Sequence, residues 1–184
     1  MTWKVDNAHT ALEFSVRHMM VSTVRGNFTR FRGQVELDLE DPTRSRAQAE
    51  IEVASIETRE EGRNGHLRSA DFFDAEHHPL ITYRSGRIRS GGGDHFQVEG
   101  ELTIKGVTRP LQLEVEFMGA RRSPQGGKVA GFSASGSLSR KDFGLNWNVA
   151  LESGGWLVGD EVKIRIDAEA QEVQEAKAPV ADAA

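Results

Sequence analysis

Apolar and polar residues alternate with a period of two along most of this chain. Leu12, Phe14, Val16 and His18 share one face of a segment whose other face is Glu13, Ser15 and Arg17. Successive side chains of an extended strand point to opposite faces, so the segment is predicted as a strand with one buried and one wet side. The same alternation sets Val35, Leu37 and Leu39 against Gln34, Glu36 and Asp38, and Ala47, Ala49, Ile51 and Val53 against Arg46, Gln48, Glu50 and Glu52. It returns from Ile81 to Ile88, from Phe96 to Ile104, from Leu111 to Phe117, from Ala130 to Leu138 and from Val162 to Ala168. Asp41-Pro42, the run Gly91-Gly92-Gly93-Asp94, Lys105-Gly106 and Pro124-Gln125-Gly126-Gly127 supply the turns. Short turns between roughly eight strands predict antiparallel neighbours. A sandwich and an up-and-down barrel both fit this pattern. Closure into a barrel removes exposed edges, and about eight strands leave an interior that is either packed or holds one small ligand.

The alternation is interrupted once, from Ser55 to Tyr83. A polar stretch with helical character is followed by the pair Phe72-Phe73 and by Pro79 at the start of the next strand. A short helix and an aromatic plug inserted into a sheet protein read as the closure of a barrel end. From about Gln171 the pattern stops, and QEVQEAKAPVADAA is polar and alanine-rich. The expected organisation is one domain over residues 1–170 with a loosely attached tail over 171–184.

Composition narrows the function more than the fold. The 184 residues suit one domain with a sizeable core. A net charge of −5, with acids and bases interspersed, offers no basic stripe for nucleic acid. The absence of cysteine removes disulfides, thiolate catalysis and cysteine-bound metal. His9, His18, His66, His77, His78 and His95 show no metal-ligand spacing, and no phosphate-loop, dinucleotide or nucleophile-elbow motif is present. No cofactor and no metal are expected. The opening MTWKVDNAHTALEFSV does not read as a secretory leader, and no apolar run approaches the ~20 residues that span a bilayer. The expectation is a cytoplasmic protein, or a periplasmic or secreted one if a leader has been removed.

The predicted inward face is thinned by Ala47, Ala49, Gly100, Ala130, Ala134, Gly136 and Ala168. Small residues there mean either sharp curvature or unfilled space. Phe28, Phe31, Phe72, Phe73, Phe143, Trp147 and Trp156 lie near strand ends, where they either plug the barrel or line an apolar mouth. His18 ends the apolar face of its strand, as a satisfied core histidine or as a donor to a ligand head group. Met19 and Met20 follow it, flexible enough to fit an irregular apolar ligand. Arg140-Lys141-Asp142 reads as a solvated turn or a polar rim.

Several motifs taken in order resemble the YceI-like family. They are Asp6 to His18 (D-x-A-H-T-x-L-E-F-S-V-R-H), Val24 to Phe28, Ser55 to Thr58, His66 to Asp74 and His78 to Tyr83. Gly100 to Pro110, Arg140 to Leu145 and Val158-Gly159-Asp160 complete the set. The resemblance spans about residues 2 to 170. It implies an all-β, eight-stranded antiparallel lipocalin-like barrel with a short helical segment after the third main strand. It also implies a long apolar pocket for a polyisoprenoid chain, such as the tail of an isoprenoid quinone or its precursor, held for storage or transport without chemistry. Some similar proteins carry fatty-acid amides instead, and many are dimers, so a homodimer with transient membrane contact is expected. The residues expected at the ligand are Phe14, Val16, His18, Met20, Phe28, Phe31, Leu67, Phe72, Phe73, Tyr83, Leu102, Phe132, Ala134, Arg140, Phe143, Trp147 and Trp156. His18 and Arg140 are expected at the head group. The competing expectations are a lipid-modifying enzyme that uses His18, and a packed barrel with no ligand.

Overall fold

The computed structural model describes residues 1–173. Eleven strand segments, all paired antiparallel, form a single sheet. They are β1 (Thr2–Val5), β2 (Ala11–His18), β3 (Ser22–Phe28), β4 (Phe31–Glu36), β5 (Arg46–Glu52), β6 (Ile56–Glu57), β7 (Leu80–Gly92), β8 (His95–Ile104), β9 (Val107–Arg122), β10 (Lys128–Ser139) and β11 (Val158–Glu172). The ring β1-β4-β5-β7-β8-β9-β10-β11 closes on itself through β1 and β11, giving an eight-stranded barrel. The long strand β11 has two partners on one flank. Its C-terminal end pairs with β1 (Trp3↔Glu172) and its first half with β2 (Ile164↔Phe14).

β1 and β2 are therefore one barrel position kinked at Asn7–His9. Asp6 caps the kink, accepting a hydrogen bond from the Ala8 amide (2.9 Å) and another at His9 Nδ1 (3.1 Å). β3 and β4 likewise share a position. β4 pairs with β1 and β5, and β3 with β2 and β6.

β1, β3 and β6 are additions to the eight strands read from alternation. The strand expected to reach Leu39 stops at Glu36. Beyond it the Leu37 amide donates to Met1 O, and the Asp38 carboxylate accepts from the Glu40 and Asp41 amides to form a turn. Gln171 and Glu172 complete β11, and the tail from residue 174 onward lies outside the described residues.

One helix, α1 (Glu61–Arg68), stands in the predicted interruption. Two glycines in eight residues make it a poor helix by itself, so side-chain bonds with the residues just before it hold it. The Glu60 carboxylate accepts from the Gly62 and Arg63 amides as an N-cap (2.9 and 2.6 Å). Asn64, almost wholly buried, accepts at Oδ1 from the Thr58 amide (2.8 Å) and hydroxyl (2.6 Å). Arg63 donates to Thr58 Oγ1 (2.9 Å) and Thr58 O (2.6 Å).

The core has two parts. A fully buried Trp3, with Leu37, Ala130, Ala170, Phe117 and Phe132, closes one end of the barrel. A larger cluster built on Phe28, Val53, Ile56, Phe72 and Phe143 fills the body. The small inward residues do not leave empty space where neighbours reach over them. A side chain at Gly100 would overlap the Tyr83 hydroxyl, and one at Gly136 would meet Leu113 Cδ2 at 2.8 Å. At these positions the thinning makes room for a neighbouring side chain.

Candidate functional site

A cavity of about 470 Å³ lies inside the barrel near the β2–β3 hairpin. Its wall is a cross-strand row on β10, β11, β2 and β3: Leu138, Val162, Val16 and Val24 stand side by side in register and all line the space. Phe14 and Ile164 form the next row inward. The Phe14 ring lies over Gly26, where a Cβ would meet it at 2.5 Å. Phe28, Ile51, Ile81, Leu102, Ile104 and Leu12 complete the apolar interior.

Along Ser22–Gly26, β3 has β2 on one side and no strand on the other. Here α1 supplies Gly62, Arg63, His66 and Leu67 to the wall. Phe73 meets Phe28 edge-on with ring centroids 6.1 Å apart, and Phe72 lies 5.4 Å from Trp147. His66 packs edge-on against Trp147 at 4.5 Å and Phe72 at 5.1 Å, while its Nε2 is bonded to Asp71 at 2.8 Å. The aromatic plug predicted from Phe72-Phe73 thus bounds the cavity and joins α1 to the segment that follows β10.

That segment is held by Arg140. Its side chain is only 4% exposed. Nε donates to Gly159 O (2.8 Å), Nη1 to Leu145 O (2.6 Å) and Trp147 O (2.9 Å), and Nη2 to Val158 O (3.3 Å) and Asp160 Oδ1 (3.4 Å). Burial lowers the Arg140 pKa from its ordinary value, with Asp160 opposing the shift. The solvated-turn reading is corrected: Arg140 is a buried clamp. It borders the cavity, but every one of its nitrogens is engaged by the fold, which removes it as a head-group donor.

Of the residues expected at the ligand, Phe14, Val16, His18, Phe28, Leu67, Phe72, Phe73, Leu102, Arg140, Phe143 and Trp147 border the cavity. Six stand elsewhere. Met20 and Trp156 are exposed on loops outside it, at 65% and 56% of their surface. Phe132 packs beside Trp3 in the other core cluster. Ala134 is half-buried on β10, opposite Val115 and Ile166 in register, and does not border the cavity. Phe31 packs against the main core from β4, away from the cavity. Tyr83 turns its ring over Gly100, and burial pushes its phenol up to about 12. Among the described residues its hydroxyl has no hydrogen-bond partner.

Cavity residues absent from the expected ligand set include Val24, Leu138, Leu157, Val158, Val162 and Ile164. Val162, Ile164 and Leu138 were on predicted inward faces, so their signal was present. Val24, Leu157 and Val158 were in segments without a predicted strand.

Polar groups gather at the rim, where Arg17, His18, Glu60 and Arg63 border the space. Glu60 and Arg63 are committed to α1 through its cap and through Thr58. A separate group, Asp6, His9 and Glu169, brings its potential ligand atoms within 4.8 Å of one another at the β1–β2 kink. The Asp6 carboxylate there raises the His9 pKa and is itself lowered by the histidine.

The motifs and the barrel can now be set beside known proteins. The YceI-like domain matches residues 3–170. The chain belongs to the YceI-like family. A UPF0312 protein of Staphylococcus aureus is 39% identical over 165 residues, covering 89% of this chain and 94% of the relative. A UPF0312 protein of Staphylococcus epidermidis is 41% identical over the same shares. Among solved structures, this YceI-like barrel is similar to Burkholderia cenocepacia BcnA. The TM-score is 0.77 at 27% identity, over 91% of this chain and 99% of that one. A polyisoprenoid-binding domain from Saccharophagus degradans, implicated in plant cell wall breakdown, shares the fold with a TM-score of 0.64. It is 17% identical and covers 92% of this chain and 97% of its own.

Proposed function

We propose that this YceI-like protein binds a polyisoprenoid lipid in its barrel cavity and stores or carries it without chemistry. The observation that supports the reading most is the wall itself. Aliphatic and aromatic side chains from β2, β3, β10, β11 and α1 surround a space of about 470 Å³, within the roughly 300–1,000 Å³ of small-molecule sites. An isoprenoid tail offers hydrocarbon and nothing directional, which suits such a wall. At roughly 0.8 kcal/mol per buried CH2-sized group, each five-carbon unit contributes about 4 kcal/mol before ordering costs. A polar head would rest at the rim, within reach of His18.

The lining supports binding over catalysis. It holds no serine, cysteine or lysine, and the Thr58 hydroxyl is bonded to Asn64. Among the described residues, no hydroxyl, thiol or amine nucleophile stands beside a base there. The fold similarity to a polyisoprenoid-binding domain agrees with a lipid cargo. An isoprenoid quinone or its precursor is the cargo we infer, with the protein acting as a homodimer that visits a membrane to load and unload. No helix among the described residues is long and apolar enough to cross one.

The test is to purify the protein from its native host, extract it with organic solvent and analyse the extract by mass spectrometry, then titrate the stripped protein with geranylgeraniol. Stoichiometric isoprenoid with saturable uptake is expected. An acyl amide in the extract would reassign the cargo. An empty extract with no uptake of either lipid would overturn the reading.

A further inference from the structure

The loop that joins β2 to β3 breaks a local rule. Met19 and Met20 have φ of 50° and 62°, and the Val21 amide donates to His18 O at 3.2 Å. This is a tight hairpin turn with two left-handed central residues, a geometry that favours Asn-Gly. Methionine in both places is strained, and neither side chain relieves the strain by burial. Met19 is 46% exposed, Met20 65% and Val21 80%.

A second loop lies against the first. The Met19 amide donates to Leu157 O at 2.8 Å, and the Met20 thioether occupies the place where Gly155 would carry a side chain. Beside Gly155, Trp156 is more than half exposed. The apolar surface is continuous with the cavity, because His18, Leu157 and Val158, which flank these tips, line it.

Charge follows the same layout. In a chain of net charge −5, no acidic residue occurs from Phe14 to Val35. Arg17 and Arg25 are exposed on the outer face of the hairpin, opposite Thr23 and Ser15. Neither has an acidic partner among the described residues; Arg17 Nη1 donates only to Thr23 Oγ1, at 3.3 Å. The facing loop carries one acid, Glu152, between Val149 and Leu157.

We propose that the tips formed by Met19–Val21 and Trp156 are the surface by which this protein docks on a bilayer with anionic phosphate headgroups. The apolar side chains enter the headgroup–acyl boundary while Arg17 and Arg25 meet the phosphates. The cavity rim then faces the membrane from which a lipid would pass. The proposal rests on the lipid-carrier reading and adds to it the partner surface and its orientation. The strained turn gives it a specific physical signature: the chain keeps two exposed methionines where stability favours other residues.

The variant Met19→Asn/Met20→Gly exploits this, since it suits the turn and folds at least as well as the wild type. Wild type and variant are mixed with vesicles of phosphatidylcholine containing phosphatidylglycerol, and with phosphatidylcholine alone. Binding is read by co-sedimentation and by quenching of Trp156 with brominated phospholipid, with Trp156→Phe as the blank. The wild type is expected to bind the anionic vesicles at low salt, and less as salt rises. The methionine variant is expected to bind at least tenfold more weakly and to take up tritiated geranylgeraniol from vesicles correspondingly more slowly. Its uptake from dilute aqueous dispersion should be unchanged. Arg17→Gln/Arg25→Gln should reduce the preference for anionic vesicles.

Geranylgeraniol uptake from dispersion without any vesicle binding would overturn the docking surface and leave the carrier reading standing. Vesicle binding without uptake would do the reverse. Unchanged vesicle binding by the methionine variant, or its conversion of a dimer to a monomer with no effect on vesicle binding, would also overturn the proposal. In the latter case the patch is a contact between two copies of the chain.

Discussion

Val16→Phe separates a cavity from a packed core more sharply than any other single change. Val16 is central in the row Leu138, Val162, Val16, Val24 and points into the space. Phenylalanine adds four carbons there, which displaces about one isoprene unit of a bound chain. At roughly 0.8 kcal/mol per CH2-sized group the gross loss is about 4 kcal/mol. Shortened or rearranged chains recover part of that, so a net loss of about 2 kcal/mol, near thirtyfold in Kd, is the expected outcome. The added ring fills space that is already open, so thermal stability should hold or rise. Ala134→Phe is the control. That position is half-buried between Val115 and Ile166 and outside the cavity lining, so a phenylalanine there finds no open cavity and should cost about 1–3 kcal/mol by crowding its neighbours, lowering Tm by several degrees. Calorimetric titration with geranylgeraniol and with the one-unit-shorter farnesol, alongside scanning calorimetry, reads both effects. The Val16→Phe variant should lose more affinity for the longer chain. A Val16→Phe protein that melts several degrees lower yet binds both alcohols as the wild type does would refute the reasoning, because the row would then be packed core and the cargo elsewhere.

Arg140→Ala removes a buried guanidinium from four backbone carbonyls. It should cost about 3–5 kcal/mol and loosen residues 144–157 to proteolysis, and Arg140→Lys should not rescue it because one ammonium cannot replace the planar fork. Tyr83 is the single tyrosine, and burial pushes its phenol up to about 12. The unfolded phenol ionises near 10, so the folded state binds the extra proton between these values and loses stability as pH rises through that window. Absorbance at 295 nm should therefore stay flat above pH 10 and then rise together with loss of circular dichroism; a gradual rise in the folded protein would contradict the burial. At the β1–β2 kink, Asp6 raises the His9 pKa above its ordinary 6.5 and is itself lowered below 3.8. The contribution of His9 is complete below pH 6.5 and is lost as pH rises through its folded pKa, while that of Asp6 is lost in acid below pH 3.8. The Tm gap between wild type and His9→Gln should be open at pH 5–6 and smaller at pH 9.

Much of the architecture was legible in local sequence. Period-two alternation identified eight of the eleven strands and their inward faces, because each strand has one wet side. The break from Ser55 to Tyr83 located the helix and the Phe72-Phe73 plug. β1, β3 and β6 were not legible. β6 is two residues long, and β1 and β3 are halves of positions that another segment completes. The face on which a side chain stands was readable at Phe14, Val16 and Leu138. Whether a neighbour fills the space beyond it was not.

That division follows from the range of the forces involved. Alternation, turn residues and the motif order depend on neighbours in the chain, and they determined an antiparallel all-β fold of the YceI-like family. The place of the cavity depends on contacts between residues far apart in sequence. Tyr83 fills the gap at Gly100 and Leu113 the gap at Gly136, while no such side chain crosses the row at Val16, Val24 and Val162. Arg140, which composition assigns to water, is buried because the carbonyls of Leu145, Trp147, Val158 and Gly159 converge on it. Trp156 and Met20, apolar and expected within, stand outside because two loop tips meet beyond the barrel rim. Only the closed sheet decides such cases, since side-chain burial depends on what tertiary packing brings opposite it.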